Sequence, residues 1–154
     1  MTALEDLYKE IILDHYRSPR NQGELDHPAH RCEGFNPLCG DEVVVYVALT
    51  EGMIEDIKIG GQGCSISQAS ASMMSEISKG KRLEEAELII KAFKELMDIY
   101  ESELSGDDEV KAMSSDVDLG DLEALQGVVK YPVRIKCATL AWNTLTQSIE
   151  EIQG

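Results

Sequence analysis

Glu42 to Thr50 is a β-branched run, closed by the turn Glu51-Gly52 and answered by Ile54, Ile57 and Ile59. Two residues cannot carry a parallel crossover, so these two segments predict an antiparallel hairpin. Arg31 to Phe35 supplies a third, shorter strand to the same meander. After Gly63 the apolar spacing changes to that of helices. Strands followed by helices predict an α+β fold: a small three-stranded antiparallel sheet with helices packed on one face.

The helices have recognisable limits. Thr2 and Glu5 form a capping box for a first amphipathic helix carrying Leu4, Leu7, Tyr8, Ile11 and Ile12, which Ser18-Pro19 breaks. Ser65 to Lys79 forms a second helix ended by Gly80, its Met73-Met74 pair facing the core and its serines facing solvent. Leu83 to Leu104 places Leu88, Ile89, Ala92, Phe93, Leu96 and Ile99 on one face. The last helix opens at Pro132, a first-turn position, and turns Ile135, Ala138, Trp142, Leu145, Ile149 and Ile152 inward. Between them lies an acidic excursion at about 105–127, with Leu119, Leu122 and Leu125 adding apolar content. No internal repeat is present, and residues 1–154 are expected to form a single domain carrying that excursion.

Charge narrows the function. The formal net charge is −15, which repels phosphate backbones and anionic lipid heads, so no nucleic-acid or membrane partner is expected and a basic protein partner is. Met1 to Glu10 lacks the basic start and apolar stretch of a secretory signal. The expected location is cytoplasmic, where thiols stay reduced.

Four cysteines are present: Cys32, Cys39, Cys64 and Cys137. No C-x-x-C pair occurs, which removes a thioredoxin-type redox motif and a standard zinc ribbon. Three of them sit where structure changes: Cys39 in the turn-rich Asn36-Pro37-Leu38-Cys39-Gly40-Asp41, Cys64 after Gly60-Gly61-Gln62-Gly63 at a helix start, and Cys137 early in the last helix. Backbone N–H groups and the helix dipole stabilise thiolates at such places. With Asp41, two residues from Cys39, they make three sulfurs and one oxygen, a complete tetrahedral set for Zn²⁺. Thiolates with one hard carboxylate also suit iron, in a more labile cluster than four thiolates would hold. Cys32 reads as a packed strand residue, and His15 as a satisfied, partly buried group. His27 and His30 lie in a polar loop. The glycines at 60, 61 and 63 lack the Lys and Ser/Thr of a phosphate loop and serve instead to fold the backbone tightly.

Four ordered stretches carry a resemblance that covers almost the whole chain: Asp14-His15-Tyr16-Arg17-Ser18-Pro19-Arg20-Asn21, Asn36 to Asp41, Gly61-Gln62-Gly63-Cys64-Ser65-Ile66-Ser67 and Arg134-Ile135-Lys136-Cys137-Ala138. The chain resembles the U-type iron–sulfur assembly proteins. That resemblance implies an α+β fold, Cys39, Asp41, Cys64 and Cys137 as metal ligands, and Cys39 as the residue that handles sulfur. Three departures from the scaffold (IscU) branch point to the SufU branch. Lys136 stands where the scaffold branch has His. Tyr131-Pro132-Val133-Arg134-Ile135 keeps one proline of the segment a dedicated chaperone grips, and the excursion matches an insertion typical of SufU.

The branch implies a zinc-dependent sulfurtransferase that takes persulfide sulfur from a SufS-type cysteine desulfurase and works with downstream Suf assembly proteins. The alternative is a scaffold on which an iron–sulfur cluster is transiently assembled. A third class, a structural zinc protein whose surface regulates a partner, stays open on the residues. In the relay reading Cys39 accepts sulfur and Arg134, about one turn before Cys137, pairs with the released thiolate.

Overall fold

The computed structural model describes residues 3–25, 30–37, 40–104, 122, 124–125 and 132–153. Helix α1 (Ala3–Arg17) precedes strands β1 (His30–Asn36), β2 (Asp41–Thr50) and β3 (Met53–Gln62). Helices α2 (Ser65–Ser78), α3 (Leu83–Leu104) and α4 (Pro132–Gln153) follow. The sheet order is β1-β2-β3 and both pairings are antiparallel. This is the α+β architecture expected from the chain's patterning.

The hairpin closes at Thr50 opposite Met53. Glu51 and Gly52 both have positive φ, +52° and +78°, which matches the right-handed twist of the strands it joins. Along β2, Asp41, Val43, Val45 and Val47 are buried while Glu42 is exposed and Val44 and Tyr46 are half-buried. One sheet face therefore points into the molecule, as period-two alternation requires. Helix α4 covers that face at β1 and β2, and α2 covers it at β3; α1 packs on α2, and α3 on α4. Phe93 and Trp142, both fully buried, stack with ring centroids 4.6 Å apart at the α3–α4 seam. Leu122 and Leu125, from the acidic excursion, are buried in the same core. The rest of that excursion lies outside the described residues, apart from the buried Ala124.

Three expectations are corrected. The serines of α2 do not face solvent: Ser67, Ser70, Ser72, Ser75 and Ser78 are buried. The helix touches α1, α4 and β3, so small side chains let three neighbours approach, and the hydroxyls of Ser67, Ser70, Ser72 and Ser75 find partners inside. Ser70 donates to the Ala138 carbonyl and accepts from Trp142 Nε1. Leu7 is 54% exposed, because the α1 stripe centres on His15 and Leu7 lies roughly 80° round the helix from it. Leu88 is 56% exposed. The buried stripe of α3 is rotated toward Ala86, Ile90 and Met97, leaving Leu88 outside it. The capping box at Thr2 falls outside the described residues, and nothing is described of the Ile99 side chain. Among the described residues no helix is long and apolar enough to cross a membrane.

Candidate metal centre

The antiparallel pairing of β1 with β2 sets Asn36 opposite Asp41. Asp41 is thus the first residue of β2, on its inward face, and its side chain is fully buried. The β3–α2 joint brings Cys64 to it. Cys64 caps α2 in an extended conformation, and its sulfur accepts from the Ser67 amide at 3.5 Å. A helix N-terminus supplies such unpaired N–H groups and a favourable dipole to a thiolate. Cys137, in the second turn of α4, is fully buried where that helix crosses the inward face. One ligand atom each from Asp41, Cys64 and Cys137 lie within 4.8 Å of one another.

Asp41 is held at several points. Its Oδ1 accepts the Cys64 amide N–H at 2.9 Å, and its Oδ2 lies 4.0 Å from Cys64 Sγ. The Asn36 side-chain amide is 3.4 Å from the same Oδ2 and 3.7 Å from Cys137 Sγ. Burial alone would push the Asp41 carboxyl up. Hydrogen bonds from the Cys137 thiol, the Cys64 amide and the Ser67 and Cys64 side chains outweigh it and hold the carboxyl below its usual range. Gly63 makes the approach possible: a Cβ there would lie 2.5 Å from Asp41 Oδ1 and 2.6 Å from Ser67 Oγ. Any other residue would displace the carboxylate.

These donors fit a metal ion. Two sulfurs and one carboxylate oxygen converge, and two of the three side chains are closed to solvent. Soft thiolates with one hard oxygen are a donor set for zinc, with iron as the competing occupant. Cys39, the fourth residue assigned from the sequence, lies outside the described residues, two positions before Asp41. Arg134 is exposed in the first turn of α4.

The remaining candidates are elsewhere. Cys32 is 5% exposed on β1 opposite Val45, four residues and about 13 Å along the strand from Asn36. None of the described cysteines is in a disulfide. His15 is buried against Ser72 Oγ at 2.8 Å, and His30 meets Glu151 at 2.8 Å. His27 falls outside the described residues. The stretch Asp14 to Asn21 serves packing rather than this site. The Arg20 amide bonds Ser72 Oγ, Asn21 bonds Ser75 Oγ, and Ile59 N–H bonds the Asn21 carbonyl. Ser72 stands about 12 Å along α2 from Cys64. Asn36, Gly63 and Ser67 were not singled out as site residues from the sequence, because neutral donors and a glycine leave no ligand-type spacing. The signal available was their place inside the two motifs that hold Asp41 and Cys64.

Comparison with known proteins gives the family. Residues 7–138 match the NifU-like N terminal domain family. The zinc-dependent sulfurtransferase SufU of Bacillus subtilis is 42% identical over 151 residues, 98% of this chain and 95% of that protein. The iron-sulfur cluster assembly scaffold protein IscU of Streptococcus pyogenes is 38% identical over 150 residues, 97% of this chain and 87% of that protein. The crystal structure of the SUF-system protein FiSufU from Fervidobacterium islandicum AW-1 superposes with a TM-score of 0.73 at 35% identity, covering 94% of this chain and 98% of that one. The chain therefore belongs to the NifU-like N terminal domain family, in which it is a protein of the SufU type.

Proposed function

We propose that the chain is a zinc-dependent sulfurtransferase of iron–sulfur cluster assembly, accepting persulfide sulfur on Cys39 from a SufS-type cysteine desulfurase. The observation that carries this reading is the convergence of Asp41, Cys64 and Cys137 within 4.8 Å, at a point two residues from Cys39. A relative 42% identical, named a zinc-dependent sulfurtransferase, supports it.

Cys39, Asp41, Cys64 and Cys137 would hold the ion. When bound, zinc supplies the positive charge that keeps coordinating cysteines as thiolates at neutral pH. The Cys39 thiolate attacks the outer sulfur of the desulfurase persulfide. That S–S bond breaks as a new one forms on Cys39, and the desulfurase cysteine leaves as a thiolate and takes up a proton. One S–S bond replaces another, so no oxidant or reductant is consumed. Gly40, which follows Cys39 in the chain, has φ +69°, a backbone conformation that favours glycine. Arg134 would offer its guanidinium to the Cys39 thiolate.

The test is mass spectrometry of the protein after incubation with a cysteine desulfurase and cysteine. A 32-Da gain on Cys39, lost on reduction, is expected (~32 Da being the mass of one sulfur atom transferred in such an exchange). Sulfur arriving only on another cysteine would refute the assignment. A second reading, the transient cluster scaffold, is favoured by the hard Asp41 oxygen among sulfurs and by the relative 38% identical named a scaffold. Anaerobic purification separates the two: colourless protein with stoichiometric zinc for the relay, brown protein with iron and sulfide for the scaffold.

A further inference from the structure

β1 ends on Asn36, a residue 6% exposed. Its Nδ2 lies 3.4 Å from Asp41 Oδ2 and 3.7 Å from Cys137 Sγ. An amide NH₂ carries two N–H donors, and here they face two of the three converging ligand atoms. Through that one group the end of β1 is tied to the start of β2 and to the second turn of α4.

The residue type suits the charge of the site. Asp41, Cys64 and Cys137 together bring three negative charges when they hold a divalent ion, and Cys39 would add a fourth. The excess is buried, because Asp41 and Cys137 are fully enclosed. Buried negative charge of this kind is tolerated when N–H donors point at it. The Cys64 amide serves Asp41 Oδ1 and the Ser67 amide serves Cys64 Sγ. The Asn36 amide faces the remaining carboxylate oxygen and the Cys137 sulfur. A leucine of similar volume would leave both without that donor, while filling the same space.

We propose that Asn36 is a positioning residue of the metal centre, its amide orienting Asp41 Oδ2 and Cys137 Sγ toward the ion and dispersing the excess negative charge of the loaded site. This rests on the reading of Asp41, Cys64 and Cys137 as ligands. Groups that orient metal ligands from behind typically change affinity 10- to 100-fold when removed.

The test uses the full chain, stripped of metal and reloaded. Zinc affinity is measured by competition with a chromophoric chelator, and Co²⁺ loading gives the thiolate charge-transfer and ligand-field bands. Asn36→Leu should lower zinc affinity by about tenfold or more and move the cobalt bands, with circular dichroism unchanged. Asn36→Ser keeps one shorter donor and should lose less; it carries the test if the leucine variant does not fold. A folded variant with wild-type zinc affinity and wild-type cobalt bands overturns the proposal. So does a change confined to the unfolding midpoint of the metal-free protein, which is what a merely structural amide would produce. Wild-type protein that takes up neither ion overturns the ligand reading itself, and this proposal with it.

Discussion

Cys64 and Cys137 keep their sulfurs at the centre for different physical reasons. Cys64 sits at a helix start where the Ser67 amide faces its sulfur, whereas Cys137 is enclosed between α4 and the sheet. Each supplies one thiolate to a small closed set, so Cys64→Ser and Cys137→Ser should both lose zinc. Free zinc at about a hundred times Kd stabilises a folded, zinc-binding protein by about 2.7 kcal/mol. Thermal unfolding with and without zinc should show a gain of that order for wild type and none for either variant. Stoichiometric zinc in either one would sink the ligand assignment. Cys32→Ser, far along β1, should keep both zinc and sulfur acceptance and cost only modest packing energy. Cys64 and Cys137 were legible because one caps a helix and the other lies early in one. Asn36 and Ser67 were not: a neutral side chain or a backbone amide has no ligand chemistry of its own and joins a site only once the fold shows which atom it faces.

At the scale of elements, the strands were readable because β-branched residues alternate along β2 and a two-residue turn admits a single topology. The second helix was not. A serine-rich helix reads as half-solvated when its neighbours are unknown, and the packing of α1, α4 and β3 around α2 decided otherwise. Ser70, Ser72 and Ser75 act as internal polar connectors. Ser70 links α2 to α4, donating to the Ala138 carbonyl and accepting from Trp142 Nε1 at 3.0 Å. Ser70→Ala leaves the buried indole N–H without this acceptor, at a cost of about 1–3 kcal/mol. Urea unfolding should show a lower midpoint with an unchanged slope. The Ala138 carbonyl follows directly on Cys137, so the same variant also tests how firmly α2 holds the sulfur-bearing turn of α4. An unchanged midpoint would mean that water takes the place of the Ser70 hydroxyl.

For the whole molecule, the two functional readings differ in what Asp41 is for. Its carboxylate receives the Cys64 amide at 2.9 Å and is the oxygen among the converging sulfurs. Asp41→Ala removes a ligand and also leaves the Cys64 N–H without that acceptor, so metal-free protein should lose about 1–3 kcal/mol in either case. The consequences for the loaded protein diverge. In a sulfur relay, losing the oxygen lowers zinc affinity and with it the charge that keeps Cys39 a thiolate, so stimulation of the desulfurase falls. In a scaffold, the hard oxygen is the donor that keeps a cluster labile; without it, a bound cluster should persist and accumulate. A surface of net charge −15 steers a basic partner in both cases, so stimulation is best compared at one fixed salt concentration. The relay is the expected outcome, since Lys136 stands beside Cys137 where the scaffold branch offers a histidine as a further ligand. Desulfurase stimulation and the visible absorption of anaerobically isolated Asp41→Ala decide it together. Reduced stimulation in colourless protein fits the relay, and a stable brown cluster with undiminished stimulation would establish the scaffold instead.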